Sequence, residues 1–135
     1  MTPKNTIRLT PNVTCLVVED NDIRNEWFTS VLPNFDIART PYEALRLLTA
    51  QTQHPYDMIF LDHDCVPRFV DRTDSDFLDK TFWRVAQMIR HTKYPATVVI
   101  HSGNPVGAAR MAAFIRPVAK VYVMPYGTFD VKIER

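Results

Sequence analysis

The segment IFLDHDC, residues 59 to 65, drives an apolar run straight into Asp62, His63 and Asp64. Loops ordinarily open on Gly, Asn or Pro, so three titratable groups in a row at a strand end point to chemistry. Two other runs end in the same way. VTCLVV (13 to 18) meets Glu19 and Asp20, and ATVVIHS (96 to 102) ends in His101 and Ser102, with Asn104 just beyond. Carboxylates gathered at one place repel; either some take up protons or a cation neutralises them. Oxygen-rich sets suit Mg²⁺ or Mn²⁺, and a ligand from His63 or His101 tilts the choice toward Mn²⁺ or Zn²⁺. Asp20 and Asp62 are the acids expected to share such an ion. A histidine that faces carboxylates is a natural general acid or base, because its pKa can be held near neutrality. Ser102 and the backbone N–H groups of a following helix start are suited to a phosphate oxygen. Plainer roles compete: Glu19 or Asp20 as a helix cap, Asp64 as a turn cap, and Asn104 with Pro105 as N-cap and first helical residue. His54 and His91 fall in a loop and at a helix end, and no role is assigned to them.

These groups act together only if the chain carries them to one edge. VTCLVV is a continuous β-branched run that reads as a strand buried on both faces. A helix follows with Ile23, Trp27 and Val31 on one face and Pro33 closing it. FDIA (35 to 38) is a weak second strand. Thr40, Pro41 and Glu43 form a capping box, and Ala44, Leu45 and Leu48 supply that helix's apolar face. DMIFLD (57 to 62) is the third strand. After a polar loop, Phe77, Leu78, Thr81, Phe82, Val85, Met88 and Ile89 trace a long amphipathic helix. The fourth strand is 96 to 102. A helix through Ala108, Met111, Ala112 and Ile115 precedes the fifth strand, KVYVM (120 to 124). Strands alternating with helices imply a parallel sheet covered on both faces, with right-handed crossovers. The expected fold is α/β: a flavodoxin-like three-layer sandwich with a five-stranded parallel sheet in order 2-1-3-4-5. The tail TFDVKIER is short and β-branched, so the last helix is expected to be short or absent. Ligands of such sheets bind beyond the carboxyl ends of the strands, where Glu19, Asp20, Asp62, His63, Asp64, His101 and Ser102 all fall.

The bulk numbers set bounds. A chain of 135 residues suits one domain spanning 1–135. With 46% hydrophobic and 23% charged residues it reads as globular rather than disordered. A net charge of +1 argues against a general nucleic-acid-coating protein. No apolar run approaches the roughly 20 residues of a membrane span, and MTPKNTIRLT lacks an apolar signal core, which predicts a cytoplasmic protein. Cys15 and Cys65 make no disulfide framework, and Cys15 reads as a small core residue. Only Gly103, Gly107 and Gly127 occur, so there is no Gly-rich phosphate loop.

The set Glu19–Asp20, Asp62, Ser102 and Met124–Pro125–Tyr126 resembles a response-regulator receiver domain. VVED looks like its acidic pair, Asp62 like its phosphoacceptor, and Ser102 falls at its Ser/Thr position. MPY falls where receivers carry Lys-Pro-aromatic. Met124 cannot bind a phosphoryl oxygen, and Lys120 sits about 13 Å away along the strand. LDHD followed by HSGNPVG and Met111 resembles more closely the cyclic-phosphate-processing receiver domains (cREC) of bacteria and phages, over nearly the whole chain. The loop CVPRFVDRTDSD departs from that family by lacking a Gly-containing turn.

That resemblance implies a receiver-like fold and a substrate that is a cyclic phosphate of a nucleotide or RNA end. It implies that Asp62, His63 and Asp64 form the core of the site, that Asp20 joins them as a metal ligand, and that His101, Ser102 and Asn104 contact the phosphate. The resulting expectation is a phosphoesterase dependent on Mg²⁺ or Mn²⁺. Its metal ligands are Glu19, Asp20, Asp62 and Asp64; its catalytic residues are Asp62, His63, Asp64 and His101. Arg68 or Arg72 would supply the cation that Met124 does not. Trp27, Phe82 or Trp83 would stack a base, although aromatics at helical spacing are more often core. The alternative is a non-catalytic pseudo-receiver that binds a nucleotide, a metal or a partner protein. An exposed edge at the fifth strand, or pairing by the FDVKI tail, would make a homodimer.

Overall fold

The computed structural model describes residues 5–64 and 81–135. Its centre is a parallel sheet of β2 (Thr14–Val18), β3 (Asn34–Ala38), β4 (Met58–Leu61), β5 (Thr97–Ile100) and β6 (Val121–Val123), in the order β3-β2-β4-β5-β6. Counted without the additional N-terminal strand, this is the expected 2-1-3-4-5. The sequences TCLVV, MIFL and TVVI explain the three central strands: short, largely β-branched or bulky apolar runs buried on both faces. The register places Val18 beside Leu61 and Leu61 beside Ile100, and Ile100 beside Val123. Consequently the residues that follow, Glu19, Asp62, His101 and Met124, leave the sheet at one level. The ladder continues through them: Asp62 N–H donates to Val18 O (3.1 Å), His101 N–H to Leu61 O (3.1 Å) and Met124 N–H to Ile100 O (2.9 Å).

Alternation of side chains across the strands divides the interior in two. On one face Leu16, Val18, Ile59, Leu61, Val98 and Ile100 pack under α2 (Pro41–Ala50), α3 (Trp83–Thr92) and α4 (Pro105–Ile115). On the other, Cys15, Val17, Phe60 and Val99 pack under Phe28 and Leu32 at α1 (Asp22–Val31), together with Ile7, Leu9 and Phe129. Cys15 is thus a core residue, as read. The α2 cap is as expected: Thr40 Oγ1 accepts from Glu43 N–H (3.1 Å), while Glu43 Oε2 reaches back to Arg39 N–H (3.1 Å). Among the described residues no helix is long and apolar enough to cross a membrane.

Three expectations are corrected. The inward face of α1 is Asn25, Phe28 and Leu32, while Ile23 is 72% exposed and Trp27 and Val31 are half-buried. An inward position is held by a polar residue because Asn25 Nδ2 donates to Glu19 O (2.9 Å). That bond fixes the phase of the helix, and counting apolar residues misses it. Second, α3 starts only at Trp83: Thr81 forms an antiparallel bridge with Asp64, and Phe82 N–H donates to His63 O (2.8 Å). Phe77 and Leu78 lie outside the described residues. Third, residues 5–9 form a strand, β1 (Asn5–Leu9), which pairs in parallel with β7 (Phe129–Ile133) in a separate two-stranded sheet. The FDVKI tail, one of two routes considered for a homodimer, pairs here with β1 of its own chain. The ribbon covers the sheet face where a last helix is missing, burying Ile7, Leu9 and Phe129.

Candidate functional site

The common strand register brings Glu19, Asp62 and His101 together beneath the carboxyl edge. One ligand-type atom from each lies within 4.8 Å of the others, and all are buried. Asn21 caps α1 by accepting from Arg24 N–H (3.0 Å). This tight turn folds the backbone N–H groups of Asp20 (2.9 Å) and Asn21 (3.2 Å) onto Glu19 Oε2. Oε1 of the same carboxylate accepts from His101 Nε2 (3.1 Å) and Arg24 Nη1 (3.3 Å). Arg24 Nη1 also lies 3.9 Å from Asp62 Oδ2, and its guanidinium stacks over Tyr126, 5.0 Å from the ring centroid. Asp62 Oδ1 accepts from His63 N–H (2.8 Å).

The two carboxylates are pulled apart electrostatically. Burial acts to raise the pKa of Glu19, but the His101 hydrogen bond, the Asn21 N–H and Arg24 outweigh it and hold it at about 2. Burial, and then the charge of Glu19, push Asp62 up to about 7 against the His63 N–H and Arg24. Like charges in a dry place cannot both ionise freely, so one carboxylate stays charged and its neighbour takes up a proton near neutrality. His101 is fully buried, and burial depresses its pKa against the pull of Glu19. It is a neutral imidazole that donates from Nε2 to a carboxylate, with its ring edge against Phe28 at 5.1 Å.

Above this layer opens a cleft of 360 Å³, lined by Glu19, Asp20, Arg24, Asp62, Asp64, Ser102 and Asn104 among others. Beside it, His63 Nδ1 meets Asp64 Oδ1 at 2.7 Å, and Asn104 Nδ2 approaches the same oxygen at 3.5 Å. Asn104 caps α4 by accepting from Gly107 N–H (3.0 Å), and Ser102 Oγ accepts from Asn104 N–H (3.0 Å). The His63 ring lies so close to the first turn of α4 that a Cβ on Gly107 would fall 2.6 Å from its Cγ and Nδ1. Glycine is required there for approach. A second cleft of 430 Å³ adjoins, sharing Asn104 and lined also by His63, Trp83, Val106, Gly107 and Arg110.

The structure therefore gathers Glu19, Asp20, Asp62, Asp64, Ser102 and Asn104 at one cleft, while His63 lines the adjoining one. His101, expected to face a phosphate, lies instead under Glu19 and away from the cleft lining. Asp20 and Asp64 line the cleft but stand outside the buried Glu19–Asp62–His101 cluster. Arg68 and Arg72 lie outside the described residues. Trp27 and Phe82 are core: Trp27 packs edge-on against Phe28, Tyr126 and Phe129, and Phe82 is fully buried. Trp83 packs on Phe114 at 4.9 Å and borders the second cleft. Met124 packs against the α1-side core. Sequence reasoning missed Arg24. Its signal was a cation in the first turn of a helix, where the dipole favours acids; such a misplacement implies a local partner.

The family model for the Cyclic-phosphate processing Receiver domain matches residues 15–117. No curated protein matches the chain. Solved structures share the fold. The N-terminal domain of a response regulator/sensory box/GGDEF 3-domain protein from Carboxydothermus hydrogenoformans is 16% identical with a TM-score of 0.52, covering 90% of this chain and 83% of that one. The Mn²⁺-bound form of response regulator Rcp1 is 17% identical with a TM-score of 0.54, covering 83% and 80%. The receiver domain of the Francisella response regulator 1452 is 15% identical with a TM-score of 0.52, covering 83% and 84%.

Proposed function

The chain belongs to the cyclic-phosphate processing receiver domains, and from that premise we propose that it hydrolyses cyclic phosphodiesters of nucleotides or RNA ends in the cleft above Glu19 and Asp62. The observation that carries this reading is the pairing, at one strand end, of the buried Asp62 carboxyl with a histidine oriented by its own carboxylate, Asp64 Oδ1 lying 2.7 Å from His63 Nδ1. An imidazole held in this way suits proton transfer in both directions. Asp64 holds Nδ1 of His63 as a donor, which makes Nε2 the basic nitrogen of that ring. His63 would take a proton from the attacking water as its oxygen bonds to phosphorus. His63 would then pass that proton to the ring oxygen as the P–O bond breaks, leaving a monoester. The start of α4, with Ser102 and Asn104, would face the phosphate oxygens. The adjoining cleft, with Trp83 and Arg110, would take the nucleoside. His101 would act by holding Glu19, not by touching substrate.

The donor set fits a divalent cation. Two buried carboxylates whose oxygens lie within 4.8 Å of one another, with the His101 imidazole holding one of them, suit Mn²⁺ or Mg²⁺. Glu19 and Asp62 would hold the ion, with Asp20 and Asp64 at the cleft above. When bound, such an ion neutralises phosphate charge and acidifies a water. The test is turnover of 2′,3′-cyclic nucleotides and cyclic dinucleotides by the purified chain with Mg²⁺ or Mn²⁺, compared with Asp62→Ala and His63→Ala variants of native fold. Absence of turnover with every substrate discards the catalytic reading.

A second reading, a pseudo-receiver that binds nucleotide, metal or partner without turnover, is favoured by the Arg24–Glu19 ion pair, which already neutralises the acids. Retained nucleotide binding without hydrolysis selects it.

A further inference from the structure

Arg24 stands where the acid pocket needs a cation. Its Nη1 is 3.3 Å from Glu19 Oε1 and 3.9 Å from Asp62 Oδ2. Other partners of the Glu19 carboxylate among the described residues are fixed: two backbone N–H groups of the α1 cap and the imidazole of fully buried His101. Arg24 alone among these partners reaches solvent, with 29% of its side chain exposed, and it lines the cleft. A planar guanidinium is weakly hydrated and stacks well on aromatic faces, here on Tyr126. The first turn of α1 is an unfavourable place for a cation; the acids, not the helix, hold it there.

We propose that Arg24 is a built-in counter-cation that competes with a divalent metal ion for the Glu19 and Asp62 oxygens, so that metal entry requires the guanidinium to swing out toward the cleft. Guanidinium and metal cannot both be seated. An ion held by Glu19 and Asp62 would draw on the two carboxylates that Arg24 Nη1 already faces, and at such separations the positive charges would repel strongly. The exchange rests on the reading that these acids take a divalent ion, but it is read from affinity and not from turnover. Arg24 is thereby a residue that sets metal affinity, absent from the motifs that mark the site.

The experiment is Mn²⁺ titration of the EDTA-stripped full chain, followed by the electron-paramagnetic-resonance signal of free Mn²⁺, at about pH 8.5 so that protons on Asp62 do not compete. Arg24→Ala and Arg24→Met are compared with the wild type and with Arg46→Ala, which removes an exposed charge from α2. Methionine keeps an unbranched stem over Tyr126 and serves if the alanine variant folds poorly. Both Arg24 variants should bind Mn²⁺ at least tenfold more tightly, Arg46→Ala should stay within twofold of wild type, and millimolar guanidinium should weaken binding to Arg24→Ala. Equal or weaker binding by the Arg24 variants overturns the exchange. So does an equal gain in Arg46→Ala, or no Mn²⁺ binding by any variant. Turnover without the affinity change removes this inference alone; the affinity change without turnover removes only the hydrolase reading.

Discussion

Asp62→Asn should make the metal-free protein more stable above neutrality. Asp62 is held with a pKa near 7 against 3.8 for an unperturbed carboxyl. Between those values the folded state binds more protons than the unfolded one, so the stability it contributes is complete below about pH 4 and lost as pH rises through about 7. At about 1.36 kcal/mol for each pH unit of displacement, ionising Asp62 in place costs up to about 4 kcal/mol. Asparagine removes that cost. Its Oδ1 still accepts from the His63 N–H that bonds Asp62 now, and its amide replaces the proton facing Glu19. The difference between variant and wild type should grow from near zero at about pH 4 to a few kcal/mol at about pH 8, a Tm rise on the order of 10 °C. Urea denaturation in EDTA at several pH values measures it. A variant equally or less stable than wild type at about pH 8, or a gain that does not depend on pH, refutes the claim that Asp62 is a desolvated acid beside a charged Glu19.

Gly107→Ala should cost about 1–3 kcal/mol, because its Cβ would sit 2.6 Å from the His63 ring; unchanged stability with an unmoved His63 NMR resonance contradicts the packing described. Asp64→Asn should lower turnover by about 10²-fold or more, the range for losing an oriented acid–base group. Because its side chain is 56% exposed, stability should move by less than about 0.5 kcal/mol; full activity in this variant removes His63 as the base. Phe129→Ala should cost about 3–5 kcal/mol, since the ring is buried between the terminal ribbon and Phe60. Arg8→Ala, which breaks only the exposed ion pair to Glu134, should cost at most about 1 kcal/mol. Comparable losses in the two variants would place the ribbon's stability in its surface charges and not in its core.

Local sequence determined the central sheet and the composition of the site. VTCLVV, MIFL and ATVVI are short apolar runs bounded by polar residues, too short for buried helices, and the residues that end them are the acids and imidazoles of the carboxyl edge. Capping chemistry is local as well, so Thr40 with Glu43 and Asn104 with Pro105 were legible as helix starts. The tertiary structure decided what local pattern cannot contain. Strand register, set across the sheet, puts ligand-type atoms of Glu19, Asp62 and His101 within 4.8 Å of one another. It also seals His101 under Glu19, a burial that no spacing along the chain reveals. Arg24 reaches the acids because Asn25 rotates α1 onto the Glu19 carbonyl, a side-chain bond to the backbone six residues earlier that overrides the apolar periodicity of that helix. The terminal ribbon escaped notice for the same reason: NTIRL and FDVKI are weak strands alone, and each forms because the other, far away in sequence, covers the same exposed face of the sheet.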